Sequence, residues 1–397
     1  MDIKNRKATY KTPPTSLTTA SESQELRRRK ALDEQRRKRA QRVDSSRQLD
    51  ILAHLTLGES DDEEEPTDSG TVPMEIPPHA SNVVSPSGPS HFEVPTDRGK
   101  KKRKQKQKTR NSKDKPNNKW ADRCMYAELL EMSEDAVQDG LPEDLETGWV
   151  AVAPVPVGKR CLAVTDHSLG TAGLVPNTSL RSRKSGKFLM PRFPSNLPPS
   201  TVLDCILDEN WRESGILHVL DVLKWKGQDI GDCETPFRFW WRDTRLEELP
   251  TSPPPSNSNA DGNDNVYRFP YPNRFVAIPH HTDTSLLSLA SQIVPLARAS
   301  RSIIIDIPTI GPTDSDSMVI DQMQLRNQTI ATTIEVRADG LLLYVAEASY
   351  ESGTSPLSSW VPIAKYEDGQ TPDDMIDDST GGPLDVFQRF LVVYPPR

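Results

Sequence analysis

The chain has 397 residues, room for one large domain or two small ones, but only 35% are hydrophobic and 35 are proline, so part of it lacks the side chains of a packed core. Forty-nine Lys and Arg against 57 Asp and Glu leave a formal charge of -8, which excludes a uniformly basic nucleic-acid coat. The 4 cysteines (Cys124, Cys161, Cys205, Cys233) form no C-x-x-C pair and no zinc-type spacing with histidine, and no stretch approaches the ~18 apolar residues of a membrane span. They read as buried thiols of a soluble protein in a reducing compartment, and the N-terminus has no signal-peptide core. No metal, cofactor or membrane is implied.

Residues 1–118 read as mostly unfolded, with acid and base in separate runs and few aromatics. One stretch differs. From Ser23 to Leu57 there is no Pro or Gly, good helix formers dominate, and Gly58 supplies a stop. It carries RRRK (Arg27, Arg28, Arg29, Lys30), RRKR (Arg36, Arg37, Lys38, Arg39), Arg42 and Arg47. Its apolar residues are too sparse for a core-facing stripe, so a helix here has little reason to be stable alone. The block suits an importin-beta ligand, an RNA-binding arm or a solvated helix. DDEEE (Asp61–Glu65), a Pro/Ser linker and a second basic block, Lys100–Lys108, follow. That second block suits a short nuclear signal, an RNA-phosphate contact or an inert linker.

From Trp120 the composition becomes globular. Trp120–Met132 reads as a helix. Strand-like runs follow at Trp149–Val155, Arg160–Thr165, Thr201–Leu207, Ile216–Trp225, Phe237–Trp241, Arg274–Pro279, Ser302–Pro308, Thr329–Val336, Leu341–Ala346 and Phe390–Tyr394. Helices are expected over Asp243–Leu249 and Ser285–Ala299, the latter broken at Pro295, and Thr251–Asn265 reads as a surface insertion. The class is α+β with largely antiparallel sheets and few helices. The expected organisation is a basic segment at 1–60, a linker at 61–117 and a folded domain at 118–397. Trp225, Phe237, Phe239, Trp240 and Trp241 read as strand core, Asp339-Gly340 as a turn, and His280-His281 as surface histidines.

Four stretches together resemble the snurportin family: Pro156–Val164, Thr201–Trp241, Ala338–Tyr344 and Ser349–Val361. The run HVLDVLKWKGQDIGDCETPFRFWW (His218–Trp241) is the most specific of them. The resemblance implies an adaptor that carries trimethylguanosine-capped small nuclear RNA particles into the nucleus. It implies a cap-binding domain similar to the nucleotide-binding fold of capping enzymes and ligases, and a basic segment that binds importin beta through Arg27–Lys30, Arg36–Arg39 and Arg42. Shuttling between nucleus and cytoplasm follows, with an exportin as a further partner.

Those enzymes form a lysyl–guanylate bond at K-x-D-G; the comparable stretch here is V-P-V-G (Val155–Gly158), and their lysine-rich late motif reads S-W-V (Ser359–Val361). Without that nucleophile the resemblance implies binding rather than catalysis. Trp360, after the loop-like run GTSPLSS, corresponds to a cap-stacking tryptophan; an indole face attracts the cationic 7-methylguanine. Gly158, Lys159 and Arg160, read as a turn before a strand, and Lys184, in the basic loop Arg181–Phe188, match positions that meet the cap. The bland alternatives are a core tryptophan and solvated cations. One departure stands out. Where snurportins carry S-E-W-L, this chain has A-E-L-L (Ala127–Leu130), which puts Ala127 and Leu129 at the cap and removes one stacking ring.

Overall fold

The computed structural model describes residues 23–56, 118–132, 141–166, 177–255, 267–308, 329–364 and 381–393. Asp61–Glu65, the Pro/Ser linker, Lys100–Lys108 and most of Thr251–Asn265 lie outside them. The chain divides into two compact units, Met1–Gln41 with Asn117–Arg397, and Arg42–Pro116. The described part of the second is the remainder of a single helix, α1 (Gln24–Thr56), which matches the span expected from the absence of Pro and Gly.

The strands of the first unit are β1 (Met125–Leu129), β2 (Trp149–Pro156), β3 (Gly158–Thr165), β4 (Thr178–Ser182), β5 (Val202–Asp208), β6 (Ile216–Trp225), β7 (Gln228–Asp229), β8 (Arg274–Ala277), β9 (His280–His281), β10 (Arg301–Pro308), β11 (Thr329–Val336), β12 (Ala338–Val345) and β13 (Gly353–Pro362). Helices are α2 (Trp211–Ser214), α3 (Thr235–Glu247), α4 (Leu286–Ser288), a π-helical turn (Leu289–Ile293), α5 (Val294–Arg298) and α6 (Pro383–Val393). One sheet runs β1-β13-β12-β2-β9, another β4-β3-β5-β6-β7 with β8 beside β6, and β10-β11 form a separate antiparallel pair. Pairing is antiparallel except β1 with β13 and β6 with β8. The expected α+β class with mostly antiparallel sheets and few helices is what the structure shows.

The two large sheets share a core. Val150–Ala153, Leu341–Val345, Leu357 and Val361 of the first sheet pack with Ile206 and Leu220 of the second. β2 and β12 are buried almost throughout, which is why their sequences are continuous apolar runs rather than alternating ones.

Several expected elements differ. Trp120–Met132 is a turn followed by strand β1, not a helix. Phe237–Trp241 is not a strand but part of α3. Pro236 lies in the helix's first turn, and the buried positions Arg238, Phe239, Arg242 and Leu246 follow helical spacing. Arg238 bonds Asp221, both fully buried, with Nη2–Oδ2 at 3.0 Å, and Arg242 donates to the Ile278 carbonyl at 2.8 Å. These guanidiniums, rather than aromatic rings alone, fasten α3 to the sheets.

Consequently Phe237 and Trp240 are exposed, while Phe239 and Trp225 are core. The expected strand Phe390–Tyr394 is instead helix up to Val393, the end of α6, whose Leu384, Phe387 and Leu391 point inward at helical spacing; Tyr394 lies outside the described residues. His280 and His281 are half-buried in β9, with His280 Nδ1 3.1 Å from Asp243. Burial pushes the His281 imidazole below its usual pKa.

Candidate cap-binding site

Strand β1 brings the candidate residues together. It is an edge strand, and it pairs in parallel with β13 so that Leu129 stands opposite Trp360, with a bulge between Ala127 and Glu128. The Leu130 amide donates to the Trp360 carbonyl at 3.0 Å. Two residues from opposite ends of the domain, both marked by the resemblance, are therefore neighbours.

Their surroundings differ. Leu129 is 41% exposed, but Trp360 is only 9% exposed. The run before Trp360 is strand rather than loop, so a solvent-facing loop position is corrected to a strand position at the edge of the core. The indole lies over Gly340 of β12. Gly340 has φ +152, and a Cβ there would come within 2.4 Å of the Val361 carbonyl oxygen and 2.9 Å of the Trp360 ring. Glycine at that position makes the space the indole occupies. Asp339-Gly340 thus lies inside β12 rather than in the turn before it.

Gly158, Lys159 and Arg160 open β3 instead of forming a turn that precedes it. A Cβ on Gly158 would meet the Leu207 carbonyl oxygen at 2.5 Å, so glycine here lets β3 approach β5. Lys159 is exposed. Arg160 is not a solvated cation. Its Nε lies 2.6 Å from Asp204 Oδ1, its Nη2 2.8 Å from Asp204 Oδ2, and Nη2 also donates to the Met125 carbonyl at 3.1 Å. Burial opposes its charge, but Asp204 overrides this and holds the guanidinium above its usual pKa. The Tyr350 hydroxyl adds a 2.5 Å bond to Asp204 and accepts from the Met125 amide at 2.8 Å. Burial, with the Asp204 charge, pushes the Tyr350 phenol well up. Arg160 therefore positions the start of β1.

Lys184 is exposed in the turn after β4. Beside it, Arg183 lies 4.4 Å over the ring of Tyr126 in β1. Burial lowers the pKa of Arg183. Ala127 is half-buried against the main core cluster. Arg160 and Arg183 thus reach the adjacent residues Met125 and Tyr126 at the start of β1, and Leu129, opposite Trp360, lies at its far end. Sequence reasoning missed Glu128, Asp204, Tyr126 and Tyr350. Tyr350 and Asp204 both lie in stretches that carry the resemblance, so their signal was present but undirected.

Among the described residues no group of three or more His, Cys, Asp or Glu is placed to hold a metal ion. Cys124, Cys161 and Cys205 are buried free thiols, and Cys233 is half-buried. Val155, the first residue of V-P-V-G, is buried in β2, and Val157 is half-buried.

The basic segment also meets this unit. Gln24 Nε2 donates to the Leu129 carbonyl at 2.9 Å, and the Glu131 amide donates to Gln24 Oε1 at 3.0 Å. Arg27 Nη2 lies 2.8 Å from Glu128 and 3.0 Å from Glu131. Arg28 is buried, its guanidinium 4.5 Å from the Trp149 ring. Arg29, Lys30, Arg36, Arg37 and Lys38 are exposed, Arg39 is half-buried, and Arg42 belongs to the second unit.

Among solved structures, one described as "DNA binding with a minimal scaffold: Structure-function analysis of Lig E DNA ligases" is 14% identical, covering 59% of this chain and 68% of that chain at a TM-score of 0.29. That likeness is too slight to bear on this chain's chemistry. Residues 132–287 match the family described as "Snurportin1, m3G cap-binding domain". The matched span includes Gly158, Lys159, Arg160 and Lys184, while Leu129, Trp360 and α1 lie outside it. The resemblance to snurportin that the motifs carry is thus borne out by the match of residues 132–287 to that family's m3G cap-binding domain.

Proposed function

We propose that this chain binds the trimethylguanosine cap of small nuclear RNA through the β1–β13 edge and links it to importin beta through α1. The observation that carries the reading is the Leu129–Trp360 pair: the two positions that snurportin motifs assign to the cap are register neighbours although they lie far apart in the chain. Leu129 offers apolar contact to N-methyl groups, and the indole face of Trp360 is the π surface that would attract a cationic base. Lys159 and Lys184 supply charge for the triphosphate bridge. Arg160 contributes by holding β1, because Asp204 already occupies its guanidinium. With Val155 in place of a nucleophilic lysine, the domain is read as a binder and not a guanylyltransferase. Nuclear import, return through an exportin and residence in both nucleus and cytoplasm follow from the same reading.

A titration of the full chain with trimethyl-capped, monomethyl-capped and uncapped guanosine dinucleotides tests it. Preference for a methylated cap is the expected result. Equal affinity for all three, with steep salt dependence, would replace the reading with general RNA binding. A covalent guanylate adduct on incubation with labelled GTP would restore the enzyme.

A further inference from the structure

A helix as charged as α1 has no apolar stripe, yet its first half is docked. The contact face is Gln24, Arg28, Ala31 with Leu32, Gln35 and Arg39, spaced as one side of a helix. Ala31 and Leu32 pack against the main core cluster. Two glutamines act as substitute strands. Gln24 pairs with the backbone carbonyl of Leu129 and amide of Glu131, satisfying groups that the β1 edge would otherwise present to solvent. Gln35 does the same for Ser349: its Nε2 donates to the carbonyl at 3.3 Å and its Oε1 accepts from the amide at 2.9 Å. Around them runs a carboxylate rim. Arg27 meets Glu128 and Glu131, Arg36 meets Glu347, and Arg39 Nη1 lies 3.2 Å from Glu234. Burial lowers the basicity of Arg28, opposed by the charges of Asp144 and Glu25.

Arg27, Arg28, Arg36 and Arg39 are also among the residues assigned above to importin beta. A guanidinium bonded to one carboxylate set is not available to another, and docked Arg28 is covered. We propose that the rim of Glu128, Glu131, Glu234 and Glu347 is an internal docking surface for the chain's own basic helix. Docking there and engagement of an acidic protein partner are then mutually exclusive. Arg29, Lys30, Arg37 and Lys38 remain exposed on the docked helix and give such a partner its first foothold. The proposal rests on the import reading for the partner's identity, but the docking itself does not.

The test uses the full chain and the double variant Gln24→Ala/Gln35→Ala, which removes the backbone-pairing amides and leaves every cation in place. Alanine favours helix more than glutamine, so loss of protection cannot come from weakened helix propensity. Hydrogen exchange should show protected amides over 24–41 in the wild type and at least about tenfold faster exchange in the variant. Poly-L-glutamate, as an acidic probe, should bind the variant several-fold more tightly, and Glu234→Gln/Glu347→Gln should move both readouts the same way. Importin beta is titrated in parallel. Wild-type helix amides exchanging at free-peptide rates overturn the docking. Faster exchange with unchanged poly-L-glutamate affinity overturns the exclusion. Tighter polyglutamate binding without importin beta binding upholds the proposal and sinks only the import reading.

Discussion

Two sets of arginine–carboxylate pairs in this molecule use the same chemistry to opposite ends. Arg238–Asp221 is fully buried and Arg160 meets a fully buried Asp204; both pairs are bidentate and backed by carbonyl bonds, while Arg36–Glu347 and Arg39–Glu234 lie at the solvent-facing rim. Inside, losing one partner strands a charge away from water, so the pairs are fixed parts of the framework. At the rim, water and salt replace either partner cheaply, so the contact is reversible. Arginine alone therefore says little about role; the depth of its partner decides.

The contrast can be broken most forcefully from the inside. Arg160→Ala leaves the Asp204 carboxylate uncompensated, with only the Tyr350 hydroxyl as donor, and removes the guanidinium bond to the Met125 carbonyl; it should destabilise the chain by about 3–5 kcal/mol in urea denaturation. A loss below about 1 kcal/mol would mean that the pair is solvated after all.

Next in size is Trp360→Ala. It should weaken cap-analogue binding by roughly 1–3 kcal/mol in a fluorescence titration. A thermal melt must run alongside, since the indole also fills space over Gly340 and its removal leaves a cavity. If affinity falls only in proportion to unfolded protein, Trp360 is framework and not platform. Leu129→Trp sharpens the same point from the exposed side of the pair. An added indole there should tighten cap binding and favour the trimethyl form, read from competition between the two caps. Unchanged affinity would place the cap away from the β1 end.

Smaller effects are expected at exposed cations. Lys159→Ala and Lys184→Ala should weaken cap binding modestly, more at 50 mM than at 300 mM salt, because exposed phosphate contacts are screened over about a Debye length. Smallest of all should be the stability change from Arg36→Ala/Arg39→Ala. Its melting curve should nearly overlay the wild type at physiological salt, although hydrogen exchange over α1 should still rise.

The comparison also explains what could be read from the chain alone. The buried strands β2, β6 and β12 and the long helix were legible, because apolar runs and an absence of Pro and Gly are local signals. Strand β1 was not. Met125–Leu129 has good helix formers, and only its pairing with β13, a distant partner, makes it extended. Phe237–Trp241 was misjudged for the opposite reason, since aromatics suggested strand while the Arg238/Arg242 spacing that marks the helix looked like surface charge. Leu129 and Trp360 were named from motif resemblance, and their adjacency was not visible in either stretch. The docking of α1 was hidden because glutamine amides and one arginine stand where an apolar stripe would normally betray a packed face.

The parallel pairing of β1 with β13 has a consequence for how the protein is made. Met125 and Tyr350, which share a hydrogen bond at the start of this edge, are 225 positions apart in the chain. Contacts of such separation carry a large loop-closure cost and form late. During synthesis the strands β3 to β6 can begin to pair while β1 and β2 have no neighbour, and the β1 edge is completed only after Pro362 has left the ribosome. The Leu129–Trp360 pair is therefore among the last features of the domain to assemble, and a chain truncated before β13 would retain much of its core sequence yet lack this edge.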